Sequence, residues 1–233
     1  MQLQQIASLL APFLPPPGLS QSQLQCVSNH LDLLLQWNSK INLTSVRSRE
    51  EIVTRHFGES FFLAHNLFSN GPMSQSANES IEVSRSLVPG LCAIDLGSGA
   101  GFPGLPLKIY VPNLRVTLIE SQNKKATFLK EVVRKNRLTN INIFSGRAGA
   151  FAASLSPSGP VRSAQLVTMR AVERFQQILP LAASLLSPQG RLALLIGSSQ
   201  VSRAHTLLPL LIWQPPIPVP LSRSRVLLIA QPK

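Results

Sequence analysis

The sequence predicts an α/β fold in which helices cover both faces of a doubly wound, mostly parallel sheet. From Leu91 onward, short apolar strands alternate with helical segments, which is the pattern of such a sheet. A glycine-rich turn joins the first of these strands to the helix that follows it. The first 68 residues show helical spacing of apolar positions and no strand pattern. We therefore expect a Rossmann-like sheet that carries a helical N-terminal extension.

The N-terminal extension, residues 1–68, is predicted to hold three helices. A short amphipathic helix covers 1–13, and Ser20 caps a second helix that carries regularly spaced leucines. Ser48, with Glu51 three residues later, predicts a capping box at the start of a third helix. The third helix is expected to bury Ile52, Val53, Phe57, Phe61 and Phe62.

A change of composition separates this extension from the rest of the chain. Residues 69–88 are rich in Ser and Asn and predict an exposed linker or insertion. Residues 89–233 then form the predicted sheet domain, and its proline-rich stretch 213–221 is expected to be a rigid connector. The predicted strands are 91–95, 115–120, 140–146, 164–170, 190–197 and 225–230, and the predicted helices are 103–110, 124–137 and 174–186.

Charge and composition restrict the possible partners. The 233 residues carry a net charge of +12, and a chain this basic most often meets a polyanion such as nucleic acid. The two cysteines and four histidines lack metal-binding spacing, so we expect no metal site. The N-terminus lacks the features of a signal peptide, and apolar runs are too short to span a membrane. We therefore expect a cytoplasmic monomer without a membrane partner.

The stretch AIDLGSGAGFPGLPLKI, residues 93–109, is the candidate ligand-binding turn. Its Gly99, Gly101 and Gly104 match the spacing of the dinucleotide-binding fingerprint, which is a weak signal when it stands alone. A P-loop is excluded because no Gly-Lys-Ser/Thr sequence follows. The turn could hold a pyrophosphate, hold a nucleoside, or serve only close strand–helix packing.

Two acidic residues favour a nucleoside with a cationic tail. Asp95, at the end of the first strand, would repel a pyrophosphate and attract an ammonium group. Glu120, at the end of the next strand, could accept hydrogen bonds from both ribose hydroxyls. The pattern therefore favours an S-adenosyl-L-methionine site, while a nicotinamide or flavin enzyme and a purely structural turn remain the alternatives.

Several segments together resemble a known family. NLTSVRSREEIVTRHFGES, the glycine turn, LIESQNKKATFLKEV, GRA and VTMRAV are similar to the RsmG, or GidB, family, from about Leu31 to Gly197 and weakly beyond. The resemblance implies a class I methyltransferase sheet and S-adenosylmethionine-dependent methylation of a guanine N7. The implied substrate is bacterial 16S ribosomal RNA, either naked or within the small subunit.

The resemblance also implies roles for individual residues. Arg170 would face the methionine moiety and the substrate, and His56 would stack on or hydrogen-bond the guanine; these two are the candidate catalytic residues. Each could instead be structural, as an ion-paired arginine and a histidine bonded to the backbone. Asn42, Arg47 and His56 fall in the motif that closes over the site. The candidate cofactor-binding residues are Asp95, Gly97, Phe102, Glu120, Ser121, Ala148, Gly149 and Arg170.

RNA binding is expected to use basic side chains rather than extensive base stacking, since aromatic residues make up only 6% of the chain. The candidate RNA-binding residues are Arg47, Arg55, Lys124 and Lys125, although a basic helix face can simply be solvated. The chain departs from the family where Gly149 replaces an acid expected to bind the adenine amine, and where Ile196 replaces a lysine, which we expect to remove one positive charge from the RNA-facing surface. These departures leave a non-catalytic RNA-binding protein, or a methyltransferase for another substrate, as alternatives.

Overall fold

The computed structural model describes residues 1–69, 90–155, 164–172 and 174–233. The linker predicted over 69–88 therefore lies outside the described residues, except for Ser69, whose backbone N–H closes the preceding helix by donating to His65.

The N-terminal extension forms helices at the predicted places. In the second helix, Ser20 and Gln23 form a complete capping box, because each side chain bonds the other's backbone N–H. Ser48 caps the third helix by accepting from the Glu51 N–H, but the Glu51 carboxylate pairs with Arg55 and leaves the box half formed. The elements are α1 (Leu3–Leu10), α2 (Gln21–Asn38), α3 (Arg49–Ile52), a π-helical segment (Val53–Gly58) and α4 (Glu59–Phe68).

The π-helical segment changes which side chains of the third helix face inward. A π turn holds more residues than an α turn, so every position beyond it is rotated about the helix axis. The prediction that Phe62 is buried is wrong, because Phe62 is only half-buried. Glu59 and Ser60 are buried instead, at 3% and 0% exposure. A carboxylate is thereby placed in the protein interior.

The sheet has the order β3-β2-β1-β4-β5-β8-β6, with β7 also paired to β8. Strands β1 to β5 run parallel, and β8 is antiparallel to β5. Because β1 lies between β2 and β4, the order reverses there, and ligands of open α/β sheets bind at such a switch point. The strands are β1 (Cys92–Leu96), β2 (Arg115–Glu120), β3 (Ile141–Ser145), β4 (Ala164–Arg170), β5 (Leu186–Gly197), β6 (Leu211–Trp213), β7 (Ile217–Pro218) and β8 (Arg225–Pro232).

The helices of the sheet domain largely match the predicted segments. Helices at 148–154 and 201–207 were not predicted, and β5 begins four residues before the predicted strand. The expected rigid connector over 213–221 is partly wrong, because it contains the end of β6 and all of β7. The helices are α5 (Gly104–Tyr110), α6 (Asn123–Lys135), α7 (Ala148–Ser154), α8 (Phe175–Ser184) and α9 (Val201–Leu207).

Two hydrophobic clusters cover the two faces of the sheet. The first joins side chains of the extension, such as Ile6 and Phe57, to sheet residues such as Leu195 and Leu227. The second packs α8 and α9 against the opposite face. The extension therefore shares a continuous core with the sheet, and this packing brings its π-helical segment beside the carboxyl ends of the strands.

Candidate functional site

A cavity of about 920 Å³ opens at the carboxyl ends of β1, β2 and β4. This volume is within the range of small-molecule binding pockets. Its wall is formed by the glycine turn, by the chain after β2, by the start of α7 and by the N-terminal extension. Glu120 is the acidic residue among the described lining residues, and the basic ones are Arg55, Lys125, Arg147, Arg170, Arg174 and Arg225.

The glycine turn lines the cavity with its backbone and packs closely on the sheet. Gly97 lines the cavity at φ +70°, a backbone conformation that residues with a side chain rarely adopt. A Cβ added to Gly104 would lie 2.4 Å from Cδ2 of Leu118, so this glycine lets α5 pack directly on β2. The turn thus combines a left-handed backbone without a side chain at the cavity with tight helix–sheet packing.

Glu120 lies where the sequence predicted a ribose-binding acid. Its side chain is 5% exposed and lines the cavity. Oε2 accepts from the Gly99 N–H at 2.9 Å, and Oε1 accepts from the Gln122 N–H at 2.8 Å. Since a carboxylate offers about four acceptor positions, capacity remains for a diol. Ser121, the predicted neighbour, is exposed on the same wall.

Asp95 does not line the cavity, contrary to the expected contact with a ligand ammonium. Its carboxylate is 1% exposed, accepts from Thr168 Oγ1 at 2.8 Å and accepts from the Gly104 N–H at 3.2 Å. Burial raises its pKa to about 6, although these hydrogen bonds favour the charged form. Asp95 therefore ties β1 to β4 and to the start of α5, and holds the glycine turn in place.

The two departures from the family pattern have different structural settings. Ala148 and Gly149 line the cavity at the start of α7, and a Cβ at Gly149 would meet nothing within 4 Å. An acidic side chain would therefore have room at that position. Ile196 is 5% exposed and pairs with Val226 in the sheet. The expectation that its replacement of lysine removes charge from an RNA-facing surface is wrong, because this side chain lies in the core.

Phe102 links the glycine turn to the N-terminal extension. Its ring lines the cavity and stacks on buried His30 of α2, with centroids 5.1 Å apart. His30 Nε2 lies 2.9 Å from the carbonyl oxygen of Ala100, an acceptor only, so this nitrogen carries the proton and donates. Burial lowers the pKa of His30 to about 4, which keeps the ring neutral. In the sequence, His30 is indistinguishable from an ordinary core histidine of an amphipathic helix.

Arg170 lines the cavity, but its guanidinium is held from behind by the extension. One terminal nitrogen lies 3.1 Å from Glu59 Oε2 and donates to the Arg55 carbonyl at 2.8 Å. Arg225, on the last long strand, also contacts Glu59 Oε2 at 3.1 Å. The side chains of Arg170 and Glu59 are 6% and 3% exposed. Arg170 is therefore part of a buried network, and its Nε has no hydrogen-bond partner among the described residues.

His56 lies between Arg170 and Thr44, and all three line the cavity. Its Nδ1 is 2.8 Å from a terminal nitrogen of Arg170, and its Nε2 is 2.7 Å from Thr44 Oγ1. Burial, followed by the charge of Arg170, lowers the pKa of His56 to about 3. Because both ring nitrogens already have partners, the expected hydrogen bond from His56 to a guanine has no support in this geometry.

The predicted RNA-binding residues divide between two places. Arg55 and Lys125 line the main cavity, whereas Lys124 lines a separate depression of about 380 Å³ with Trp37 and Lys40. Arg47 and Asn42, from the motif expected to close over the site, are exposed and lie outside the cavity lining. Five residues of the site were not predicted from the sequence: Thr44, Glu59, Arg147, Arg174 and Arg225. Thr44 and Glu59 lie in the segment NLTSVRSREEIVTRHFGES and Arg147 lies in GRA, which both carry the family resemblance, whereas Arg174 and Arg225 lie in none of those segments.

The described parts of the chain, residues 1–69, 90–155, 164–172 and 174–233, offer neither a membrane span nor a metal cluster. None of their helices is long and apolar enough to cross a membrane. They also contain no group of three or more His, Cys, Asp or Glu side chains suited to hold a metal ion.

Strand order, switch point and glycine turn define the Rossmann-like fold of S-adenosylmethionine-dependent methyltransferases. Ribosomal protein L11 methylase from Lactobacillus delbrueckii subsp. bulgaricus shares this fold, with a TM-score of 0.53 at 15% identity over 76% of this chain and 80% of that one. The fibrillarin/Nop5p complex matches with a TM-score of 0.51 at 15% identity, over 61% of this chain and 73% of that one.

The chain belongs to the GidB family, described as rRNA small subunit methyltransferase G, whose model matches residues 23–208. It is 36% identical over 177 residues to ribosomal RNA small subunit methyltransferase G of Streptococcus pyogenes serotype M5 (strain Manfredo). The protein of that name from serotype M18 (strain MGAS8232) matches equally. Each alignment covers 75% of this chain and 65% of the relative's length.

Proposed function

We propose that this protein transfers a methyl group from S-adenosylmethionine to N7 of a guanine in small-subunit ribosomal RNA. The observation that carries the proposal is one cavity, in a chain of this family, that combines a nucleoside-binding edge with a basic wall. Gly97 and Glu120 line the part of the cavity that we assign to the nucleoside, and Arg170 and His56 line the same cavity. The proposed substrate implies a cytoplasmic activity.

The residues present fit the proposed cofactor. Glu120 keeps acceptor capacity for the ribose hydroxyls, Gly97 presents backbone without a side chain at the cavity, and Gly149, beside Ala148, leaves space for the adenine. S-adenosylmethionine would supply an electrophilic methyl carbon on a positively charged sulfur, for which the N7 lone pair is a suitable nucleophile.

The chemistry at N7 places modest demands on the protein. Guanine N7 already carries an exposed lone pair, so a strong base is not required, and positioning with exclusion of water supplies most of the rate gain. The neutral imidazole of His56, with a pKa of about 3, suits such a site. The rings of His56 and Phe102, 5.1 Å apart, form a wall that is fixed from behind by the extension.

The basic wall is suited to the phosphates of a folded RNA. Arg55, Arg147 and Arg174 are exposed at the cavity, and half-buried Lys125 lies with them. Contacts of this kind supply affinity that falls steeply with salt concentration, without identifying bases. We therefore assign these four residues to holding the RNA backbone.

The decisive experiment is deletion of the gene followed by mass spectrometry of the small-subunit RNA. One N7-methylguanosine should disappear, and wild-type protein should restore it. Arg170→Lys keeps the charge but loses the planar fork, so it should restore little. Arg115→Ala is the matched control, because this arginine lies at the amino end of β2, away from the cavity.

Cofactor binding is tested separately by calorimetry of the purified protein with S-adenosylmethionine. Glu120→Ala should weaken binding, whereas Arg115→Ala should not. An unchanged RNA modification profile in the deletion strain would reject the substrate assignment. Cofactor binding without an RNA change would indicate another methyl acceptor, and absence of both would favour a non-catalytic RNA-binding protein.

A further inference from the structure

The hydrogen bonds around His56 have a fixed direction. A guanidinium has only donors, so Arg170 must donate to Nδ1 of His56, which therefore carries no proton. The proton of the neutral ring is then on Nε2, which donates to Thr44 Oγ1 at 2.7 Å. The opposite tautomer would direct an N–H at a guanidinium nitrogen. The buried arginine thus sets the role of the threonine hydroxyl two bonds away.

Thr44 Oγ1 receives a second hydrogen bond from the N–H of Val46 at 3.1 Å. A hydroxyl oxygen has two lone pairs, so both are now in use, and the group can act further only as a donor. Asn38 holds the threonine in place, because its side chain bonds both the N–H and the carbonyl of Thr44 at 3.0 Å. Within the described residues, no acceptor receives the hydroxyl proton.

We infer that the Thr44 hydroxyl donates a hydrogen bond to O6 of the target guanine and makes the cavity selective for guanine over adenine. The inference rests on the proposed function. Thr44 lines the cavity together with His56 and Phe102. O6 is an acceptor next to N7 on the same edge of the base, and a donor bound there leaves the N7 lone pair free. Adenine presents an amino group at that position, and its N–H donors would face the Thr44 hydroxyl, which is itself a donor.

Selectivity follows from the one hydrogen-bonding role that the Thr44 hydroxyl still has, which is that of a donor. A threonine with a free lone pair would accept from the adenine amine as readily as it donates to guanine. Here His56 and Val46 occupy both lone pairs, so the Thr44 hydroxyl can donate to guanine but cannot accept from the adenine amine. Sites built to hydrogen-bond a substrate group reject analogues that lack it more strongly than sites that select by shape alone.

The test is a double-mutant cycle, in which one change is made at Thr44 and the other at the target base. Synthetic RNA, ligated into the small-subunit RNA and used both naked and reconstituted, carries guanosine, 2-aminopurine or inosine at the target. 2-Aminopurine lacks O6 but keeps N7, and inosine keeps both. For the wild type, loss of O6 should lower kcat/KM about 30-fold, whereas inosine should change it less than about threefold.

Thr44→Val removes the hydroxyl at nearly constant shape, and Thr44→Ser keeps it. For the valine variant, kcat/KM on guanosine should fall about 30-fold. Its kcat/KM values on guanosine and 2-aminopurine should differ by less than about threefold, because the contact with O6 is already absent from this variant. The serine variant should stay within about threefold of the wild type. Thermal melts monitor folding, since valine leaves the Val46 N–H without its acceptor.

Three outcomes overturn the inference. If the fold-reductions in kcat/KM caused by Thr44→Val and by loss of O6 multiply when the two changes are combined, the hydroxyl does not contact O6. If Thr44→Val weakens S-adenosylmethionine binding more than about tenfold in calorimetry, the hydroxyl serves the cofactor. If the wild type methylates no guanosine RNA, the proposed function fails and this inference fails with it. The first two outcomes leave the proposed function intact.

Discussion

Replacing Glu59 with glutamine is expected to lower the free energy of unfolding by about 3 kcal/mol. Glu59 is 3% exposed and lies 3.1 Å from both Arg170 and Arg225. Removing one partner of a buried ion pair typically costs about 3 to 5 kcal/mol, because the other charge stays buried without compensation. Arg170 keeps hydrogen bonds to the Arg55 carbonyl and to His56, which places the cost at the lower end.

Urea denaturation at pH 7, followed by circular dichroism, measures this change. In a chain of this size a loss of about 3 kcal/mol lowers the melting temperature by roughly 6 to 12 °C. Glu51→Gln is the matched control, because its pair with Arg55 has side chains that are 46% and 51% exposed. Exposed pairs of this kind contribute about 0 to 1 kcal/mol.

Repeating the Glu59 substitution in a variant that lacks Arg170 separates the effect of charge on stability from the effect of packing. In a variant that already carries Arg170→Met, the buried cation is gone, and Glu59→Gln should cost less than about 1 kcal/mol. The reasoning is refuted if Glu59→Gln costs no more than Glu51→Gln. It is also refuted if the cost is the same with and without Arg170, since the charge of that arginine would then play no part.

Two further predictions concern pH and cofactor affinity. Burial lowers the pKa of His30 to about 4 and that of His56 to about 3, so stability should fall as pH drops below about 6.5, where the unfolded chain binds protons that the folded chain does not. The pKa of Asp95 is raised to about 6, so this group has the opposite effect on stability between about pH 4 and 6. In that range the free energy of unfolding should fall by about 1.4 kcal/mol for each pH unit of acidification. Urea titrations at pH 7 and 5 measure this change, and equal stability at the two pH values contradicts the prediction. Gly97→Ala should weaken S-adenosylmethionine binding about tenfold or more, because it requires an alanine at φ +70° and brings a Cβ to 3.2 Å from a valine methyl. Gly197→Ala, whose Cβ would make contacts no closer than 3.7 Å, should change affinity less than about threefold in the same calorimetry; equal effects would remove the glycine turn from the binding argument.

Local patterns in the sequence were sufficient to predict most of the fold. Strand β4 begins and ends where the apolar run predicted it, over Ala164–Arg170, because a buried parallel strand is a continuous apolar segment. The helix start at Ser20 was predictable because a capping box is made by residues three positions apart. The glycine turn and Glu120 could be placed at one sheet edge, since parallel strands end on the same side.

The directions of polar side chains needed the tertiary structure. Asp95 was expected to face a ligand, but it faces Thr168, which is 73 residues away in the chain. Ile196 was assigned to a charged surface and lies in the core, because its side chain belongs to the cluster that packs α8 and α9 on one face of the sheet. Sequence spacing identifies which residues share an element, but it does not identify the element packed opposite.

The sequence by itself determined the parallel strands, the glycine turn and the acid at the end of β2, because each depends on residues that are neighbours along the chain. Only the tertiary structure decided what surrounds the reactive side of the cavity. The π-helical segment rotates α4 so that Glu59 points inward, and Arg170, 111 positions later, meets it through folding of the whole chain. The roles of His56 and Thr44 follow from that contact, since a hydrogen-bond donor fixed at one end determines the direction of every bond that follows.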